Sequence, residues 1–114
     1  MTRGTETTAG RFAIARFGGP TTSKTTTVTV ATTVTRIVGN NPRRVSITVY
    51  NRGVNNVDLD YVATVTAGGG IPLTGASGVM QSTIEDDGEA TINELYGIAT
   101  TASSSVFVVE VLRV

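Results

Sequence analysis

The sequence contains no cysteine, no histidine and no tryptophan in its 114 residues. Without cysteine there is no disulfide bond, no thiolate metal ligand and no cysteine nucleophile. Without histidine, the usual general base and the usual metal ligand near neutral pH are both missing, which excludes a Ser–His–Asp triad and a Cys/His zinc site. These absences argue against an enzyme and predict a protein that needs no cofactor.

Long apolar runs are also missing. The first apolar cluster, at 12–17, is short and is interrupted by Arg16, so it does not have the pattern of a signal peptide. No run approaches the 18 or so apolar residues of a membrane-spanning helix. We therefore expect a soluble chain, made in the cytosol, with no membrane contact.

The composition is that of a small folded β-protein. Hydrophobic residues make up 39% of the chain and charged residues 16%, which fits one folded domain. Threonine and valine are abundant, and β-branched residues favour strands over helices. The sequence predicts an extended N-terminal arm at 1–17, followed by a single domain at 18–114.

The stretch 40–61 has the clearest strand pattern. Val45, Ile47 and Val49 alternate with polar residues, and Val57, Leu59 and Tyr61 do so again after a turn rich in Gly and Asn. Alternation with a period of two is typical of strands with one buried face. We predict that these two runs form a β-hairpin.

Further runs predict more strands. A Thr/Val run at 24–38 predicts a long strand with a bulge or bend near Thr35, and 79–84 predicts another. Asp87-Gly88 is a hairpin signal. The run 106–114 is apolar on both faces, which indicates a central strand or one covered by a partner. Seven to eight strands predict an all-β fold, an antiparallel β-sandwich or small barrel.

Charge is distributed unevenly although the formal net charge is zero. Eight of the nine basic residues lie within the first 52 positions, and eight of the nine acidic residues lie from position 58 onward. Opposite faces of the folded domain could then attract each other head to tail. Alternatively, folding interleaves the two halves and mixes the charges.

The sequence offers candidates for three kinds of binding or catalytic site. Asp58 and Asp60, on one strand, have a spacing that could suit a glycosidase or a calcium site, but a solvated strand face explains them more simply. Arg43, Arg44 and Arg52 near Tyr50 could contact nucleic acid, yet the pI of about 6.2 is low for such a domain. Glycan binding would need exposed aromatic rings, and these are few.

The strand-and-turn pattern resembles that of a known class of proteins. The run 41–49 with Asn51, Gly53 and Val57, together with the runs 70–73 and 94–99, is similar to small β-rich virion proteins of tailed bacteriophages. The resemblance covers about 40–112 and brings no functional residues with it. It implies structural, decorating or fibre components of a virion that work as trimers or higher oligomers.

The resemblance leads to a functional hypothesis. We expect a viral structural protein, most simply a capsid decoration protein that bridges subunits of the major capsid protein in the virion. A phage tail or fibre component and a glycan-binding surface module are the alternatives. The candidate contacts with the shell are Arg3, Arg11 and Arg16. The candidate contacts between copies are Ile71, Leu73, Arg43, Arg44, Arg52, Asp58 and Asp60.

Overall fold

The computed structural model describes residues 20–114, which form eight strands and two short helical turns. The strands are β1 (Thr21–Val30), β2 (Thr35–Val38), β3 (Arg44–Asn51), β4 (Val57–Asp60), β5 (Ile71–Leu73), β6 (Val79–Thr83), β7 (Leu95–Ala99) and β8 (Ser104–Arg113). Helix α1 (Ile84–Asp87) and a 3-10 turn (Gly88–Ile92) connect β6 to β7. The predicted arm, the boundary at 17 and the candidates Arg3, Arg11 and Arg16 lie outside the described residues.

The strands form two four-stranded antiparallel sheets, which confirms the predicted all-β sandwich. Sheet 1 has the order β1-β8-β3-β6, and sheet 2 has the order β2-β7-β4-β5. In sheet 1, β8 pairs with β1 over ten residues, from Thr21↔Arg113 to Val30↔Ser104, and with β3 on its other side. β8 is therefore a central strand, as its two apolar faces indicate.

The core lies between the sheets. Alternation places Ile47 and Val49 of β3, and Val57 and Leu59 of β4, on the inner faces, where each is at most 3% exposed. Gly97 of β7 sits among them because a Cβ there would meet Ile37 Cδ1 at 2.8 Å and Leu59 Cδ2 at 3.2 Å. The buried cluster is completed by Val30, Leu73, Leu95, Ala99, Val106 and Val108.

The predicted hairpin at 40–61 is wrong in its pairing. β3 lies in sheet 1 between β8 and β6, whereas β4 lies in sheet 2 between β7 and β5. The connection at 52–56 therefore crosses from one sheet to the other. Gly53 allows this crossing because a Cβ there would collide with Ser104 and Ser105 of β8. Alternation identified each strand and its buried face, but it carries no information about the partner strand.

Asn51 fixes the start of this crossing. It is 2% exposed, and its Nδ2 donates to the carbonyl oxygens of Asn55 at 2.8 Å and Leu73 at 3.0 Å. Its Oδ1 accepts from Gly53 N at 3.1 Å and from Ser104 Oγ at 2.9 Å. One buried amide thus joins the end of β3 to β5 in the opposite sheet.

Two other local predictions need correction. The acidic stretch after β6 forms α1 and the 3-10 turn rather than a hairpin, because Thr83 caps the helix by accepting from Asp86 N through Oγ1 at 3.3 Å. The Thr/Val run at 24–38 divides into β1 and β2 of different sheets, with the break at 31–34. The bulge or bend predicted near Thr35 is confirmed, because the break ends at 34 and a register shift follows between Arg36 and Val38.

The four sheet edges differ in how well they are protected. β5 contains Pro72, which cannot donate to a further strand, and β2 has a register shift between Arg36 and Val38. β6 is five residues long. β1, by contrast, is a ten-residue edge strand whose residues 22–27 are all exposed. Its outer edge has no partner within 20–114.

Candidate functional site

The outer face of sheet 1 is apolar along its central strand. Phe107, Val109 and Val111 of β8 alternate with the buried residues of that strand, and each is only half-buried. Tyr50 of β3 and Val79 of β6 extend this face sideways, because Tyr50 is paired with both Phe107 and Val79. We call these five residues the outer patch. No other described residue forms a layer over it.

The end of the outer patch that lies on β3 and β6 is its most exposed part. Val79 is 54% exposed and Tyr50 is 38% exposed. The Tyr50 and Phe107 rings lie with centroids 6.5 Å apart at an interplanar angle of 40°, a spacing at which aromatic rings attract each other. An exposed aromatic pair beside aliphatic side chains is typical of the centre of a protein–protein contact.

The borders of the outer patch differ in charge. Along β1, Thr25 and Thr27 lie opposite Val109 and Phe107 and provide an uncharged polar border. At the C-terminal end of β6, helix α1 and the 3-10 turn contain four acidic residues: Glu85, Asp86, Asp87 and Glu89. They follow Thr83, which pairs with Ser46, and Ser46 pairs with Val111. The patch therefore has an acidic border at the end of β6, near Val111.

A second feature is a buried ion pair inside the sandwich. Arg44 and Glu110 are 2% and 5% exposed. Arg44 Nε and Nη2 donate to Glu110 Oε1 at 2.8 and 2.7 Å. The remaining guanidinium bonds go to the carbonyl oxygens of Thr91, Asn93 and Gly39. A buried charge needs such complete pairing because its desolvation is costly.

A cleft of about 310 Å³ opens beside this ion pair. Lys24 stands across from Glu110 in the β1–β8 register and reaches the same cleft. Thr26, Ile37, Val38, Gly39, Asn40 and Asn41 complete its lining. Arg44 and Lys24 carry two positive charges against the one negative charge of Glu110, so the cleft is weakly positive. It has neither a histidine nor a cysteine to act as a nucleophile or a base.

The structure corrects three predicted subunit contacts. Arg44 is enclosed in the protomer because a β-bulge at Val45 interrupts the alternation that placed its side chain outward. Leu73 is 1% exposed and belongs to the core. Asp58 is 5% exposed, and its Oδ2 accepts from Gly68 N at 2.7 Å. It anchors a glycine-rich loop rather than lying on a solvated face.

The other predicted contacts lie at the surface but do not form one site. Arg43 and Arg52 are exposed at opposite ends of β3, roughly 30 Å apart at the usual rise of a strand. Ile71 is 38% exposed in β5, and Asp60 binds Tyr61 N through Oδ1 at 2.7 Å. The basic cluster considered for nucleic acid is therefore divided.

The sequence contains a signal for the outer patch, because the final run is apolar on both faces. Phe107, Val109 and Val111 form the second of these faces, and they are absent from the predicted contacts. Glu110 also stands out in the sequence, because it is a single acidic residue within a valine-rich strand. Its partner Arg44 lies 66 positions away in the chain, so the sequence does not show that the two residues form an ion pair.

A small polar cluster on sheet 2 gives one titration prediction. Tyr96 Oη donates to Glu94 Oε2 at 3.0 Å, and the same oxygen lies 3.5 Å from Arg36 Nη1. The hydrogen bond to Glu94, followed by desolvation and by the charge of Glu94, raises the pKa of Tyr96 above its ordinary 10.0, and the charge of Arg36 opposes this. Glu94→Gln should lower the pKa of Tyr96, because the phenolate then meets no carboxylate.

Absorbance titration of the phenolate measures this change, with Tyr96→Phe subtracted to isolate one phenol. Because the pKa is raised in the folded state, the interaction stabilises the fold below the ordinary tyrosine pKa. That contribution is lost as pH rises through the folded-state pKa. An identical phenolate titration in Glu94→Gln would show that Glu94 is not the cause.

Comparisons with known proteins give a likeness in fold. No protein-family model and no curated sequence matches the chain. A solved structure described as "Bacillus endospore appendages form a novel family of disulfide-linked pili" has a TM-score of 0.50 and 16% sequence identity. The match covers 82% of this chain and 85% of that chain. At this identity the likeness concerns the fold.

Two kinds of site are absent from the part of the chain that the structure describes. Within 20–114, no group of three or more Asp or Glu residues is placed to hold a metal ion. No helix in the same range is long and apolar enough to span a membrane.

Proposed function

We propose that this protein is a structural subunit that associates with further copies of itself through the outer patch. The observation that carries the proposal is the apolar outer face of sheet 1, where Phe107, Val109 and Val111 lie side by side on a central strand without a covering layer among the described residues. Burying such a face stabilises an assembly by roughly 25 cal/mol per Å² of apolar surface.

The fold likeness supports the same class of function. The similar structure is that of a pilus-forming appendage, and a pilus is built from many copies of a subunit. The pili named there are linked by disulfides, whereas these 114 residues contain no cysteine. Copies of this chain would therefore associate through noncovalent contacts, which makes a large apolar surface all the more necessary.

The particle to which the assembled copies belong has more than one candidate. The resemblance of 40–112 to bacteriophage virion proteins supports a capsid decoration protein that bridges major capsid subunits, or a tail or fibre component. The fold likeness supports a surface appendage. Immunogold labelling of purified virions and of cell-surface fractions separates these possibilities, because each predicts a different labelled particle.

Replacement of patch residues tests the proposal. Val109→Ser should weaken association of the full chain at least tenfold, because it places a hydroxyl at the centre of the buried surface. Analytical ultracentrifugation over a concentration series gives the association constant. Val54→Ser is the matched control, since Val54 is 84% exposed in the crossing loop, away from the patch.

The outcome distinguishes assembly from other roles. A full chain that sediments as a monomer at every concentration would refute a self-assembling subunit. Equal association of Val109→Ser and Val54→Ser would move the contact away from the outer patch. Circular dichroism of both variants ensures that a lost association does not reflect a lost fold.

A further inference from the structure

We infer that the outer patch of one copy is covered by residues 1–19 of a neighbouring copy. The inference rests on the proposed function and names the segment that makes the contact. This segment lies outside the described residues, and its composition can be compared with the surface that it would cover. Three properties of the segment fit that surface: its apolar residues, its charge and its length.

The apolar residues of the segment have the spacing of the patch. Phe12 and Ile14 are two positions apart, and so are Phe107 and Val109 on β8. In extended chains, residues two apart lie on one face at a separation of about 7 Å. Side chains at this spacing can interdigitate with those of the patch. Apolar side chains that cover the patch also shield it from water and from nonspecific aggregation.

The charges of the two surfaces are opposite. Residues 1–19 contain Arg3, Arg11 and Arg16 against the single acid Glu6, a net charge of +2. The acidic border at the end of β6 carries the four acidic residues of 85–89, with no basic residue among them. A basic segment beside an acidic border is steered toward it and held in one register.

The length of the segment and its point of attachment permit this contact. Nineteen extended residues span about 60 Å. The segment joins β1 at Pro20, whose carbonyl oxygen accepts from Val114 N at 3.0 Å, so its attachment is fixed at the β1 side of sheet 1. The acidic border follows the end of β6, which is the strand at the opposite edge of the sheet. An ordinary interface takes about 20–30 residues from each partner, close to the number that the segment offers.

The segment and the patch are different parts of the chain, so a copy that donates its segment still has its own patch to be covered. When the segment passes to one neighbour and the patch accepts from another, the contact repeats from copy to copy and produces a ring or a filament. Reciprocal exchange of segments between two copies closes a dimer instead, and analytical ultracentrifugation distinguishes the two by the mass of the assembly.

Two full-length variants and a peptide test the inference. Phe12→Ser combined with Ile14→Ser should weaken association at least tenfold in analytical ultracentrifugation while leaving the circular dichroism spectrum unchanged. A labelled synthetic peptide of residues 1–19 should then bind this variant, whose patch is open, and a scrambled peptide of the same composition should not. Val109→Ser in the same background should reduce peptide binding at least tenfold.

Changing the charge of the acidic border tests the inference independently. Glu89→Lys should weaken peptide binding, and Val54→Lys is the matched control because it adds a lysine in the exposed crossing loop, away from both the patch and the acidic border. Raising the salt concentration should weaken peptide binding of the parent chain, since exposed charges are screened.

The outcomes separate this inference from the proposed function. If the chain assembles and the Phe12/Ile14 variant assembles equally well, the inference is wrong and the self-assembling subunit stands. If the full chain is monomeric and the peptide binds only when Phe12 and Ile14 are replaced, the segment covers its own patch and both the inference and the assembly are refuted. If the scrambled peptide binds as well as the native one, the contact is unspecific and the inference fails.

Discussion

Replacing Arg44 by methionine should lower the free energy of unfolding by about 3–5 kcal/mol, the usual cost of removing one partner of a buried ion pair. Methionine fills much of the same volume but donates no hydrogen bond. Glu110 would then remain as a buried, uncompensated carboxylate, and the carbonyl oxygens of Thr91, Asn93 and Gly39 would lose their donor. Urea denaturation of the full chain, followed by circular dichroism, measures the loss.

Two further variants make the interpretation specific. Arg43→Met removes the same kind of side chain from the adjacent, exposed position and should change stability by no more than about 0.5 kcal/mol. Arg44→Met with Glu110→Leu removes both charges and should be more stable than Arg44→Met alone, because no unpaired carboxylate remains. Equal stabilities of the Arg44 and Arg43 variants would contradict the importance of the buried pair.

Asn51→Leu should cost about 3 kcal/mol, because four hydrogen-bonding groups, two of them buried and two half-buried, lose their partner while the side-chain volume stays nearly the same. The affected groups are the carbonyl oxygens of Asn55 and Leu73, the amide of Gly53 and the hydroxyl of Ser104. They belong to both sheets, so the loss should reduce the cooperativity between the sheets as well as the stability. Thermal and urea unfolding measure both.

Asn40→Leu is the matched control for Asn51→Leu. Asn40 is exposed beside the cleft, so the same chemical change should alter stability by no more than about 0.5 kcal/mol. Hydrogen exchange locates the effect: faster exchange in Asn51→Leu should be concentrated at 52–56 and in β5. A uniform effect in both variants would mean that Asn51 does not pin the crossing between the sheets.

The sequence predicted the elements of this fold better than their pairing. Strands were predictable because Val45, Ile47, Val49 and Leu59 alternate with polar residues, and alternation is a local property. Which strand pairs with which depends on interactions between distant residues. The connection at 52–56 contains turn residues that suit a hairpin as well as a crossing, and the buried amide of Asn51 that distinguishes the two is an ordinary residue in the sequence.

The sequence indicated that the final strand has an apolar face to be covered, but it did not indicate which residues complete that face. Arg44 was misplaced because the β-bulge at Val45 changes the direction of side chains at one position. A bulge is set by the register between two strands, and the sequence of one strand does not contain it.

The central position of β8 has a consequence for synthesis of the chain. β8 joins β1 to β3, although it is the last strand in sequence and begins 74 residues after β1 ends. At about 5–20 residues per second, β1 and β3 leave the ribosome several seconds before the strand that they share. Neither of these two ladders can form during that interval, so strands of neighbouring nascent chains can compete for the same edges. The spacing of ribosomes on one message would then influence how much chain folds correctly.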